Sequence, residues 1–267
     1  MINEPKKTFK VVTDTKARVI LPNTLTLIGV CIGLTSINFA LNENYKLSII
    51  AILIAAIIDG LDGRIARLIK GTSKVGKELD SLTDVISFGV APAFIMYFWQ
   101  LNSFGKIGWL ISLIYVVCVA LRLARFNLNT STEASWRDNF FEGVPSPAGG
   151  ILVLSPLIYE ISDFNIFIMN YKIITPILFV LVSILLISKI PTYSFKKIVV
   201  PRSATIFLLF GIVLLFGLLL IFPFKVLVIG CVFYLLMILA SGIHFLKLKK
   251  DFKNYNNQSE EEPEDIL

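Results

Sequence analysis

The chain has 267 residues, of which 55% are hydrophobic and only 16% charged, and its mean hydropathy is +0.77. Soluble domains carry about 25% charged residues, so the composition excludes an ordinary water-soluble domain and asks for apolar spans of about 20 residues. The formal net charge of +6 reads as orientation and attraction to anionic lipid, not as nucleic-acid binding.

Residues 1–20 are polar and basic, consistent with a short element on the membrane surface or a basic arm, and no cleavable signal is expected there. Apolar spans are predicted at about 21–41, 47–66, 80–100, 106–126, 146–161, 172–188, 203–222 and 224–243. The fifth and sixth are short, so the expectation is an all-α polytopic membrane bundle of about eight helices, with seven as the alternative. Placing both ends in the cytoplasm puts 21 of the 25 Lys and Arg on that side, as the positive-inside rule requires.

Leu21-Pro22-Asn23-Thr24-Leu25-Thr26 opens the first span, where a proline at a helix start forfeits little. Thr24 and Thr26 bring hydroxyls to that end, either as ordinary helix caps or as contacts for a ligand.

The second span runs into the densest stretch of the chain, DGLDGRIARLIKGTSKVGKELDSLTD, from Asp59 to Asp84. Asp59 and Asp62 are three apart and Asp80 and Asp84 four apart, so each pair shares one helix face. Asp59 and Arg67, eight apart, project to nearly the same side. Two helices joined by a short turn thus aim four carboxylates into one space. Each costs about 2.5–3.5 kcal/mol at the centre of a membrane helix, and like charges together demand a neutralising cation. Oxygen donors without His or Cys favour a hard divalent ion, Mg²⁺ or Mn²⁺, over zinc. The plainer alternative pairs the acids with Arg64, Arg67, Lys70, Lys74 and Lys77 at the membrane surface. Gly60 and Gly63 weaken a helix by about 1 kcal/mol each, which suits close approach of a ligand or neighbouring helix. Gly76 shares the face of Asp80 and leaves room there.

Asp59, Asp62-Gly63, Ala66-Arg67, Gly76, Asp80 and Asp84 stand at the spacing of the CDP-alcohol phosphotransferase signature, and the chain resembles that family. The resemblance implies a membrane enzyme that moves a phosphatidyl or similar group from a CDP-linked donor to an alcohol. It assigns Asp59, Asp62 and Asp80 to metal and the donor diphosphate. Asp84 would help hold metal and act catalytically, taking the acceptor's proton. Thr24, Thr26, Gly63, Ala66, Arg67 and Gly76 would surround the nucleotide. The family usually has Asn three residues after the second Thr, and Gly29 stands there instead.

The third span continues VISFGVAPAFIMYFW, where Pro92 predicts a bend. The fourth ends CVALRLARFNLN, with Arg122 and Arg125 three apart, serving either the positive-inside signal or one shared ligand. Phe140–Gly150, with two prolines and three glycines, predicts non-helical backbone lining a cavity. ELDSLTDVISFGVAPA, RLARFN and the PSPA of Pro145–Ala148 resemble the phosphatidylserine synthase branch of the family. Gly149 and Gly150 replace residues that are usually alanine there, which predicts a looser helix start. Lys189, Lys196, Lys197 and Arg202 form a basic patch, and residues 251–267 an acidic, disordered tail. The transmembrane domain is expected over 21–250.

Cys31, Cys118 and Cys231 lie in three different spans without disulfide or ligand spacing, and the single histidine, His244, supports no Ser/His or Cys/His catalysis. The expected activity, implied by the resemblance, joins L-serine to CDP-diacylglycerol, with Arg122, Arg125 and Ser146 on the acceptor side. It also implies a homodimer among membrane lipids, in a bacterial inner membrane with the site facing the cytoplasm. The same transfer to glycerol 3-phosphate or another alcohol is the nearest alternative. An ion-coupled transporter, with acids scattered through mid-membrane depth, is the alternative of another class.

Overall fold

The computed structural model describes residues 15–69, 71, 73–128, 140–164, 170–188, 190–193 and 202–261. It divides into two units, Met1–Val116 and Val117–Leu267, each built from apolar helices. Most of the expected basic segment (1–14), Lys70, Lys189, Lys196, Lys197 and residues 262–267 lie outside the described residues.

In the first unit, α1 (Thr15–Leu41) and α2 (Tyr45–Leu68) form a long helical hairpin. Lys16, Ala17 and Arg18 are good helix formers, so α1 starts before the apolar span and Pro22 lies inside it, not at its opening. At the turn, Asn44 caps α2 by accepting from the Leu47 N–H at 3.3 Å. The seam between the two helices is small and closely packed: Ser36, Ala40, Ser48, Ala51 and Ala55 are all buried. Within lipid, where tails are as apolar as leucine, such small residues let backbones approach, and hydroxyls bridge them. Ser48 Oγ donates to the Ser36 carbonyl at 2.7 Å, and Ser36 Oγ to the Gly33 carbonyl at 2.5 Å.

Next come α3 (Lys74–Asp84), a π-helical turn (Val85–Val90) and α4 (Ala91–Trp99), which together make the span predicted at 80–100. Ser73 caps α3, its Oγ accepting from the Gly76 N–H at 2.9 Å. The expected bend at Pro92 takes the form of the π turn, because proline has no N–H to continue the regular ladder. A 3₁₀ turn (Leu101–Phe104) and Gly105, at φ +55°, lead into α5 (Lys106–Leu128). A side chain at Gly108 would collide with the Leu101 carbonyl, so only glycine fits that approach.

The unit boundary falls within α5. In the second unit, β1 (Phe140–Glu142) pairs antiparallel with β2 (Pro191–Tyr193), a short departure from the all-α expectation. It accounts for the non-helical backbone expected over Phe140–Gly150 only as far as Pro145, because α6 already begins at Ser146. Gly143, at φ +74°, closes the turn with its N–H on the Ile190 carbonyl at 2.9 Å. Then α6 (Ser146–Ile161) packs on α7 (Tyr171–Ile187) and on α9 (Pro223–Glu261), which also contacts α8 (Arg202–Ile221). The looser start expected for α6 is absent. Gly149 makes a regular helical bond to the Pro145 carbonyl at 2.9 Å, and its missing side chain admits Leu186, which would stand 3.0 Å from a Cβ there.

Among the described residues, four helical stretches are long and apolar enough to cross a membrane: Ile20–Leu41, Lys74–Trp99, Lys106–Leu128 and Pro223–His244. Three shorter apolar helices, α6, α7 and most of α8, accompany them. Although α2 has the length, Asp59, Asp62, Arg64 and Arg67 interrupt its apolar run. Together these make a polytopic helical membrane protein. Residues 251–261 continue the helix of α9 into the stretch expected as a disordered tail, and its Lys, Gln and Glu are compatible with helix.

Candidate active site

The carboxylates predicted to converge do so within the first unit. Asp59 and Asp62 come from the last turns of α2 and Asp80 from α3. One oxygen from each lies within 4.8 Å of the others. Asp62 is only 3% exposed, although it is a carboxyl group beside two more acids. Thr26 on α1 supports it: its Oγ1 is 2.7 Å from Asp62 Oδ2 and 3.0 Å from the Pro22 carbonyl. Besides the readings as a helix cap or a ligand contact, Thr26 thus has a third use, in which its hydroxyl orients an acid.

Asp84, one turn beyond Asp80, shares a hydrogen bond with Asp59. Two carboxyl groups in such contact hold a proton or a cation between them. The set is therefore all-oxygen, convergent and partly buried, and its residues fit a hard divalent cation. Arg64, Lys74 and Lys77 are exposed, and Arg67, also exposed, donates from Nε to the Gly63 carbonyl at 3.0 Å. The acids cluster at the α2–α3 turn and are not scattered along the spans, as a transporter path would have them.

The other donor-side positions divide. At Gly63 a side chain would meet nothing within 4 Å, so the helix face beside Asp62 is open. At Gly76 a Cβ would stand 2.9 Å from Asn23 Oδ1 and 3.0 Å from Ser73 Oγ. That glycine brings α3 against the Asn23 of the Pro-Asn-x-x-Thr opening, a partner that spacing along the chain did not reveal. Ala66 is half-buried. Thr24 is exposed and donates to the Ile20 carbonyl at 2.9 Å. Gly29 is buried, and a Cβ there would stand 3.7 Å from Ile58 and 3.8 Å from Thr83, so it serves helix packing.

In the second unit the two arginines separate. Arg122 donates from Nη1 to Ser146 Oγ at 2.5 Å, joining the end of α5 to the fully buried start of α6. Arg125 donates from Nη1 to the Ile187 carbonyl at 2.7 Å, satisfying the C-terminus of α7. Their partners differ, and Arg122 and Ser146, which sequence could only nominate separately, stand together.

Comparison with known proteins agrees with this geometry. The family model described as CDP-alcohol phosphatidyltransferase matches residues 19–243. A Mycobacterium leprae protein named CDP-diacylglycerol–serine O-phosphatidyltransferase is 43% identical over 187 residues, 68% of this chain and 61% of its own. A Mycobacterium tuberculosis protein of the same name is 44% identical over 140 residues, 52% of this chain and 49% of its own. A Helicobacter pylori protein, also of that name, is 37% identical over 179 residues, 67% of this chain and 74% of its own. The chain thus spans between half and about three fifths of the two mycobacterial relatives. With a signature whose acids meet in space and a family match across nearly all its helices, the chain belongs to the CDP-alcohol phosphatidyltransferase family.

Proposed function

We propose that the protein transfers a phosphatidyl group from CDP-diacylglycerol to L-serine, giving phosphatidylserine and CMP. The observation that carries this reading is the convergence of Asp59, Asp62 and Asp80 within 4.8 Å beside the open face at Gly63. The names of the relatives support serine as the acceptor.

Asp59, Asp62 and Asp80, with Asp84 nearby, would hold a divalent ion, Mg²⁺ or Mn²⁺, which when bound would supply positive charge for the donor's diphosphate and the departing CMP. Thr26 fixes the direction of Asp62 through its 2.7 Å contact. Thr24, Thr26, Gly63, Ala66 and Arg67 line the nucleotide, and Gly76, whose Cβ space Asn23 and Ser73 occupy, sets the approach of α3 on that side. Asp84 accepts the proton of the serine hydroxyl as that oxygen bonds to the phosphorus bearing the lipid and the bond from that phosphorus to the CMP oxygen breaks. On the acceptor side, Arg122 and Ser146 serve the serine carboxylate, for which a guanidinium offers paired donors. Arg125, tied to Ile187, holds the neighbouring backbone. The cytoplasmic orientation follows from the split of 21 of 25 cations. The bacterial inner membrane and the homodimer belong to the same proposal.

Purified protein in detergent with CDP-diacylglycerol, Mg²⁺ or Mn²⁺ and a panel of alcohols tests the reading. Phosphatidylserine with stoichiometric CMP is the expected product. Transfer to glycerol 3-phosphate with none to serine would remove the acceptor assignment.

A further inference from the structure

The catalytic acids Asp80 and Asp84 sit just before an irregular stretch that the proposed reaction does not by itself explain. From Lys74 to Trp99 the chain is continuously helical, but Val85–Val90 is a π turn, in which the Ala91 N–H bonds to the Ile86 carbonyl, five residues back. A π turn inserts one residue into the ladder. At 3.6 residues per turn, that rotates everything before it by about 100° relative to everything after it. The part after it is anchored: Ala91, Ile95 and Met96 are fully buried. The π turn therefore decides which way Asp80 and Asp84 point.

Three features hold that turn. Pro92 has no N–H with which to close an α turn onto Phe88. The Phe88 carbonyl instead accepts the Tyr115 hydroxyl of α5 at 2.7 Å, and both residues are 0% exposed. Opposite, the π turn presses on α1: a Cβ at Gly33 would stand 2.6 Å from Ser87 Oγ and 3.1 Å from its Cα. A straight helix would need a different partner for Phe88 and a different contact at Gly33.

We infer that Tyr115 is a positioning residue, which by engaging the Phe88 carbonyl keeps the π turn and so aims Asp80 and Asp84 at Asp59 and Asp62. The inference rests on the proposed role of these acids in binding metal. Its hydroxyl acts on the Phe88 carbonyl, and so through the backbone.

The test is Tyr115→Phe in the full-length protein, read by Mn²⁺ affinity from electron paramagnetic resonance, by kcat and KM for serine, and by thermal midpoint. A carbonyl left without its donor loses roughly one hydrogen bond's worth of preference for the π turn, and misaimed reacting groups lose rate steeply. Mn²⁺ affinity is expected to fall about fivefold and kcat about tenfold, with the serine KM within about twofold. Pro92→Ala, which restores an N–H able to pair with Phe88 in an α turn, is expected to weaken Mn²⁺ binding as well, and it replaces Tyr115→Phe should that variant not fold. A lowered midpoint with parental Mn²⁺ affinity and parental kcat in the folded protein would overturn the inference, as would parental Mn²⁺ affinity in both variants. If the parent prefers another alcohol to serine, the proposed function falls, and the Mn²⁺ affinities still decide the role of Tyr115.

Discussion

The two units carry their polar chemistry in different ways. In the first, the acids sit at helical spacing on neighbouring helices, and a short turn brings Asp59, Asp62 and Asp80 together. In the second, Arg122 meets Ser146 and Arg125 meets Ile187, pairs that no shared helix face predicts. The first arrangement follows from periodicity. The second depends on how α6 and α7 pack at the end of α5. An acid cluster of this kind is worth placing inside a membrane protein only where a cation and a charged ligand reward it. An arginine at a helix end has many uses, from topology to capping.

That contrast is sharpest at single side chains. Asp84→Asn keeps the shape of the first site but removes its proton acceptor, and turnover is expected to fall by about 10²–10⁴-fold with a much smaller loss of CDP-diacylglycerol binding. Steady-state kinetics beside a donor-binding assay check this, and near-parental kcat at saturating substrates would strip Asp84 of the base role. In the second unit the two arginines should part company. Arg122→Lys keeps charge but loses the planar fork, so the serine KM should rise by about tenfold, the scale of a charged hydrogen bond, with donor binding spared. Arg125→Lys, altering only a contact to the Ile187 carbonyl, should leave that KM within about twofold and lower thermal stability slightly. Equal effects at both positions would mean that they serve the ligand as a pair after all.

Much of the helical layout was legible because apolar runs of about 20 residues have few alternatives in a membrane. The acid cluster was legible because three- and four-residue spacings fix a helix face. Other features were not. Nothing in the sequence of α5 distinguishes Tyr115 from other aromatic residues in an apolar helix, yet it finds the one carbonyl that Pro92 leaves behind. Pro92 announced a bend, but a proline alone does not choose between a kink and a π turn. Thr26 was read as a cap or a ligand contact, and its partner Asp62 came to light only where α1 lies against α2. The short β1–β2 pair joins segments about 50 residues apart, and three-residue strands leave almost no periodic signal. Gly149, read as a weak point in α6, instead makes room for Leu186, because a glycine in a helix can serve packing as well as flexibility.

The central claim is that the convergent aspartates form a metal-dependent phosphatidyl-transfer site. It is tested most directly by measuring CMP release from CDP-diacylglycerol and serine by the parent protein, by Asp59→Ala and by Asp80→Ala, with Mg²⁺ or Mn²⁺ and then in excess chelator. The account predicts release only in the parent with metal, restored when metal is returned, and a loss of about 10²–10³-fold or more in each variant. Undiminished release in chelator, or parental release by both variants, would contradict it.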